Sequence, residues 1–191
     1  MTLLWGAAVR PKQGQTVSGD VYVLEHYGEG QVLAAVIDGL GGGTQAYHAA
    51  QLAADTLRRM PDYPLPDLIR TAHTALYGSR GAVIGILRLD TTAHKAWYIG
   101  VGNIGIHAFS TQQIKPISKN GILGARLPAL LELHYTYNPG DTFVLYSDGI
   151  STRWSLDSKL DLRTSPQDLA DTLLGSFGKT IDDATVLVVR T

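Results

Sequence analysis

The chain has 191 residues, 45% of them hydrophobic and 17% charged, a composition that folds around a core and is neither disordered nor collagenous. Sixteen basic residues against seventeen acidic ones give a formal net charge of -1, and no run of Lys or Arg tracks a nucleic-acid backbone. The absence of cysteine excludes disulfides, thiolate zinc sites, iron–sulfur clusters and cysteine nucleophiles. The longest apolar runs, such as Val32 to Ile37, fall far short of the ~18 residues that cross a bilayer. Met1 to Arg10 lacks the basic start and long apolar stretch of a secretory signal and reads as a first strand. The expectation is a cytoplasmic protein with one domain over residues 1–191.

Asp20 to Tyr27 and Gln31 to Ile37 are β-rich runs joined by Gly28-Glu29-Gly30, which predicts an antiparallel hairpin. Ala46, Ala49, Ala50, Ala53, Ala54, Leu57 and Met60 then repeat at helical spacing, with Thr44 as the predicted N-cap. Leu68, Ile69, Ala72, Ala75 and Leu76 repeat the same period between Pro66-Asp67 and Gly78, predicting a second helix. From Gly81 the texture turns to short β-rich segments: Ala82 to Leu89, Lys95 to Val101, Ile104 to Phe109, Leu131 to Tyr137 and Thr142 to Tyr146. Ser165-Pro166-Gln167-Asp168 supplies an N-cap, a proline in the first turn and an acid, opening a third helix that Gly178 closes. Ala184 to Arg190 is too uniformly apolar for a surface edge and reads as a central strand.

Fourteen of the seventeen acidic residues are Asp, and several abut strands: Asp20 opens one, Asp38-Gly39 and Asp148-Gly149 end two, and Asp182-Asp183 precedes the last. Taken singly, Asp-Gly is a common hairpin turn. Here Asp38-Gly39 runs through Leu40-Gly41-Gly42-Gly43 into a helix, and Asp148-Gly149 into the polar Ser151-Thr152-Arg153, so neither leads at once into a returning strand. If the strand ends converge, the carboxylates share a small volume where they repel one another unless a cation neutralises them, and an all-oxygen set suits Mg²⁺ or Mn²⁺.

Competing motifs fail on context. Gly100 to Gly105 matches G-x-G-x-x-G, but an alternating strand follows it, so it reads as a hairpin corner. Gly14 to Gly19 has phosphate-loop spacing, but Asp20 stands where a lysine should be. The six His lack metal-ligand spacing, and Ser147 and Ser151 lie in no G-x-S-x-G elbow. Trp154 reads as a packing aromatic rather than a partner contact.

In order, Ser18-Gly19-Asp20, Asp38-Gly39-Leu40-Gly41-Gly42-Gly43, Ser147-Asp148-Gly149 and Asp182-Asp183-Ala184-Thr185-Val186 resemble the motifs of the metal-dependent (PPM) serine/threonine protein phosphatases. The compact length is most similar to the SpoIIE-type branch and, within it, to the stand-alone phosphatases of the stressosome. The resemblance implies an α+β fold, a four-layer α-β-β-α sandwich of two mainly antiparallel sheets, and a cofactor of two Mn²⁺ or Mg²⁺ ions. It implies that Asp38 bridges both ions, the Gly39 carbonyl binds one, Asp148 and Asp182 bind the other, and Asp20 holds water around them. Asp38 and Asp148 would be the catalytic carboxylates, acting through an activated water.

The chain departs from better-known members at Leu40, where those carry a histidine proposed to protonate the leaving alkoxide. It departs again at Asn103, where many carry an Asp linked to a third metal, which implies that a third ion is weak or absent. Arg10 and Lys12 are the candidates for the phosphate-gripping cation near the N-terminus. The stretch from Ile150 to Thr164 is too short for a flap subdomain, which suggests an open site for a folded protein substrate. The implied activity is hydrolysis of phosphoserine or phosphothreonine on STAS-domain proteins of a stressosome-like complex. The alternatives are a SpoIIE-type phosphatase acting on an anti-sigma-factor antagonist, and a catalytically silent binding module of the same fold, against which retention of the carboxylate set argues.

Overall fold

The computed structural model describes residues 3–156 and 160–191. Its strands are β1 (Leu4–Arg10), β2 (Asp20–Tyr27), β3 (Gln31–Gly39), β4 (Ala82–Asp90), β5 (Lys95–Val101), β6 (Gly105–Phe109), β7 (Glu132–Thr136), β8 (Thr142–Tyr146) and β9 (Ala184–Arg190). Its helices are α1 (Gly43–Arg59), α2 (Leu65–Ala75) and α3 (Pro166–Phe177), with a 3-10 turn at Thr152–Leu156. One sheet runs β1-β9-β8-β6 and the other β2-β3-β4-β5-β7, and every strand pair is antiparallel. The expected α-β-β-α sandwich is borne out, and β9 is an inner strand between β1 and β8.

Strand alternation builds three apolar layers. Val21, Val23, Leu33, Ala35 and Ile37 face α1 and α2, whose Ala49, Ala53, Leu57, Leu68 and Ile69 are buried against them. Val32, Ala34 and Val36 face the other way and meet Phe143, Leu145, Leu187 and Val189 between the sheets. Val144, Val186 and Val188 form the outer layer with Leu169 and Leu173 of α3. Trp154 is 1% exposed within this layer, packed edge-on to His107 and Tyr146, so it is a packing aromatic.

One local expectation holds and two need qualification. Helix α3 begins and ends as its sequence signals predict, the Ser165 hydroxyl accepting the Asp168 N–H. Helix α1 does not take Thr44 as its cap: Gly42 is the N-cap, because Gly41, Gly42 and Gly43 all adopt positive φ and turn the chain into helix two residues earlier. Gly100 to Gly105 is not a hairpin corner. β5 pairs with β4 and β7 while β6 pairs with β8, so this segment carries the chain from one sheet to the other. Gly102, at φ 97, makes the bend.

Candidate metal centre and active site

The site grows out of the alternation that builds the inter-sheet core. On β2 and β3 the inward row ends at Asp20 and Asp38, which are direct partners in the antiparallel register. Directly opposed residues on one face have Cβ atoms about 5 Å apart, so two carboxylates meet here. On the other sheet the row of Phe143 and Leu145 continues to Ser147, and that of Val189 and Leu187 continues to Thr185 and Asp183. The apolar layer therefore turns polar at one end, on both sheets at once.

Two turns hold the acids there. The Gly39 N–H donates to Gly19 O at 3.1 Å, fixing the Asp38-Gly39 turn to the start of β2. A Cβ on Gly39 would collide with the Ala46 carbonyl, so only glycine lets α1 pack directly on the turn. Gly149 lies just as tightly on the backbone of Asp183, which brings the Asp148 turn against the start of β9. Lys179 clasps the same turn, its N–H donating to Gly149 O at 2.7 Å and its Nζ to Asp148 O at 2.6 Å.

Burial pushes the Asp38 carboxyl up to about 8, and repulsion from Asp20, Asp148, Asp182 and Asp183 adds to the rise. Burial also pushes Asp20 up to about 7, with Asp183 and Asp148 contributing, while the nearby Ser147 and Thr185 hydroxyls favour its ionised form. Those hydroxyls do not reach hydrogen-bond geometry, so both Asp20 carboxylate oxygens are buried without a donor. The Ser147 hydroxyl instead accepts the Thr185 N–H at 3.0 Å.

Asp20, Asp148 and Asp182, singled out from the sequence with Asp38, are thus brought within electrostatic reach of it. Asp183 joins them in a different capacity. Its carboxylate accepts the N–H of Lys12 at 2.9 Å and of Gly19 at 3.0 Å, so it latches the β1–β2 connection to the site. The Asp182-Asp183 pair is visible in the sequence but this latch is not, because its partners are backbone groups more than 160 residues away.

Asn103, delivered by the crossover between sheets, donates from Nδ2 to Asp148 Oδ2 at 2.7 Å. Leu40 donates its N–H to Gly81 O at 3.0 Å, and its side chain packs at the margin of the inter-sheet core. Lys12 Nζ reaches Gly41 O at 3.2 Å. Arg10 turns toward the α3–β9 connection, donating from Nη2 to Lys179 O at 3.2 Å.

Among the described residues, no three His, Asp or Glu side chains come close enough together to hold a metal ion as they stand, so the aspartates form a loose set. The set fits a hard divalent cation. Its donors are all oxygen, two of them are buried without a hydrogen bond, and the charges that shift Asp38 are all acidic.

Two antiparallel sheets face to face, helices outside, and aspartates at one end of the inter-sheet space define the class of PPM-type phosphatases. The crystal structure of RsbX in complex with magnesium has this fold, matching at a TM-score of 0.85 and 21% identity over 98% of this chain and 94% of that one. Residues 28–191 match the family model of stage II sporulation protein E (SpoIIE), and the chain belongs to that family. A relative, the phosphoserine phosphatase RsbX of Bacillus subtilis, is 24% identical over 180 residues, 93% of this chain and 89% of its own. A chain from a structure of the bacterial stressosome, described as a modular system adapted to control secondary messenger signalling, is 30% identical at a TM-score of 0.92, with both chains fully covered.

Proposed function

We propose that the protein hydrolyses phosphoserine or phosphothreonine on folded proteins with the help of two divalent cations, and that its substrates are phosphorylated STAS-domain proteins of a stressosome-like complex in the cytoplasm. The observation that carries this reading is the meeting of Asp20, Asp38, Asp148 and Asp182 at the end of the inter-sheet space. Membership of the SpoIIE family and the likeness to RsbX and to a stressosome chain support the choice of substrate. Among the described residues, no helix is long and apolar enough to cross a membrane.

In this reading Asp38, the Gly39 carbonyl, Asp148 and Asp182 would hold the divalent cations, and Asp20 would order the water around them. Divalent cations held there would supply a nucleophile from water at neutral pH and stabilise charge on the phosphoryl oxygens. The chain's own residues prepare the place. Asn103 restrains one oxygen of Asp148, Asp183 ties down the Lys12 and Gly19 backbone, and Gly39 and Gly149 let the two acidic turns approach their neighbours. Leu40 offers no proton to the leaving group.

The test is phosphate release from a panel of phosphorylated STAS-domain proteins, with anti-sigma-factor antagonists included, in Mn²⁺, in Mg²⁺ and in chelator. Release should require the metal, and Asp148→Asn should abolish it in a protein that still melts cooperatively. Full activity after verified metal removal would sink the reading, and so would silence on every phosphoprotein. Preference for the antagonists would move the substrate to the other branch of the family.

A further inference from the structure

Two cations from distant parts of the chain flank Gly41, three residues beyond Asp38. Lys12 Nζ donates to the Gly41 carbonyl at 3.2 Å. From the α2–β4 connection comes Arg80, so close that a Cβ on Gly41 would lie 2.5 Å from its Nη1. Backbone pairing dictates this placement. The β3–β4 register runs from Asp38↔Val83 to Gly39↔Ala82, and the Leu40 N–H then donates to Gly81 O at 3.0 Å. One further step sets Gly41 against Arg80. At ~3.3 Å per residue, Arg80 begins about 10 Å along the strand from the Asp38 row, and its guanidinium lies beside Gly41 at the rim of the site.

Arg80 is exposed, yet tethered: its Nε donates to Gln45 Oε1 at 2.7 Å. Among the described residues no carboxylate pairs with it, and its two terminal nitrogens are not engaged in a hydrogen bond. A guanidinium held at Nε with Nη1 and Nη2 open is a fork suited to two oxygens of a tetrahedral anion. A phosphate monoester is such an anion. Arg10 is directed elsewhere, at the Lys179 carbonyl.

We propose that Arg80 grips the phosphoryl oxygens of the substrate, with Lys12 as the second cation of the seat. The proposal rests on the phosphatase reading above and names the group that holds the phosphate. Wild type, Arg80→Ala and Arg80→Lys should be compared in saturating Mn²⁺ on a phosphoserine protein and on p-nitrophenyl phosphate. Inorganic phosphate should be measured as a competitive inhibitor and, separately, as a stabiliser of the melting temperature.

For Arg80→Ala, KM on both substrates and the inhibition constant of phosphate should rise about 10- to 100-fold, the worth of one charge-assisted fork. kcat should change less, and Arg80→Lys should recover part of the loss. Without phosphate, the melting temperature should match wild type, because the side chain is exposed. An unchanged phosphate inhibition constant and unchanged KM for p-nitrophenyl phosphate overturn the assignment, even if KM for the phosphoprotein rises, since that pattern places Arg80 against the protein flank. A wild type inactive on every substrate overturns the phosphatase reading alone. The phosphate-dependent melting shift, present in wild type and lost in Arg80→Ala, would still uphold the seat, and its persistence in Arg80→Ala would refute it.

Discussion

Asp38→Asn keeps the size of the side chain and removes its charge, and the structure gives the sign and size of the effect. Burial, reinforced by four neighbouring aspartates, raises the folded-state value from 3.8 to about 8. Between these limits the folded protein keeps a proton that the unfolded chain releases. The associated stability is therefore present below the unfolded value and lost as pH rises through the folded one. At 1.36 kcal/mol per unit, metal-free wild type should lose at most about 4 kcal/mol from this group between pH 5 and pH 8. A domain commonly has only about 5–15 kcal/mol in all. At roughly 2–4 °C per kcal/mol for this chain length, Asp38→Asn should melt about 10 °C higher than wild type in chelator at pH 7. The order should narrow or reverse in Mn²⁺, because binding to the native state stabilises wild type by mass action and the variant has lost a ligand. Thermal melts of both proteins at pH 5, 6, 7 and 8, with chelator and with Mn²⁺, read this directly. A variant that melts below wild type in chelator at pH 7, or a wild type indifferent to pH between 5 and 8, would refute the reasoning.

Two further perturbations probe the site from other sides. Gly149→Ala places a Cβ against the Asp183 carbonyl, and overpacking of about 1–3 kcal/mol should lower the melting temperature by several degrees; an unchanged melt would mean that the turn is free to move. Leu40→His tests whether leaving-group protonation limits the rate: wild-type kcat/KM should depend strongly on leaving-group pKa across graded phosphate esters, and the variant should flatten that dependence, because a positioned acid typically contributes about 10² to 10⁴. A wild-type slope near zero would show that the proton is already supplied.

The limits of the strands and of α3 are legible because they depend on short-range signals. A β-rich run marks Asp20–Tyr27, a uniformly apolar one marks Ala184–Arg190, and the Ser165 cap fixes the start of α3 to the residue. Thr44 misleads because a run of three positive-φ glycines does the work of a capping side chain, and cap propensity does not register it. Gly100 to Gly105 misleads because a turn between two strands looks alike in sequence whether they pair or part; their partners, β4 and β7 on one side and β8 on the other, are remote in the chain. The aspartates were visible one by one, since Asp-Gly at a strand end is a local pattern. Their convergence, the latch of Asp183 and the position of Arg80 beside Gly41 are products of pairing across the fold, which no window of sequence contains.

The hairpin between β2 and β3 closes at Tyr27↔Gln31 and reaches the acids at Asp20↔Asp38, seven rungs or roughly 24 Å away. The side chains alternate with a period of two, so a slip of one residue in this pairing would turn one of the two carboxylates away from the other, toward the layer beneath α1. Gly28-Glu29-Gly30, far from any candidate ligand, thus acts as the gauge against which the acids are aligned. A slip of one residue at that end would part the acids at the other while leaving every one of their side chains in the sequence.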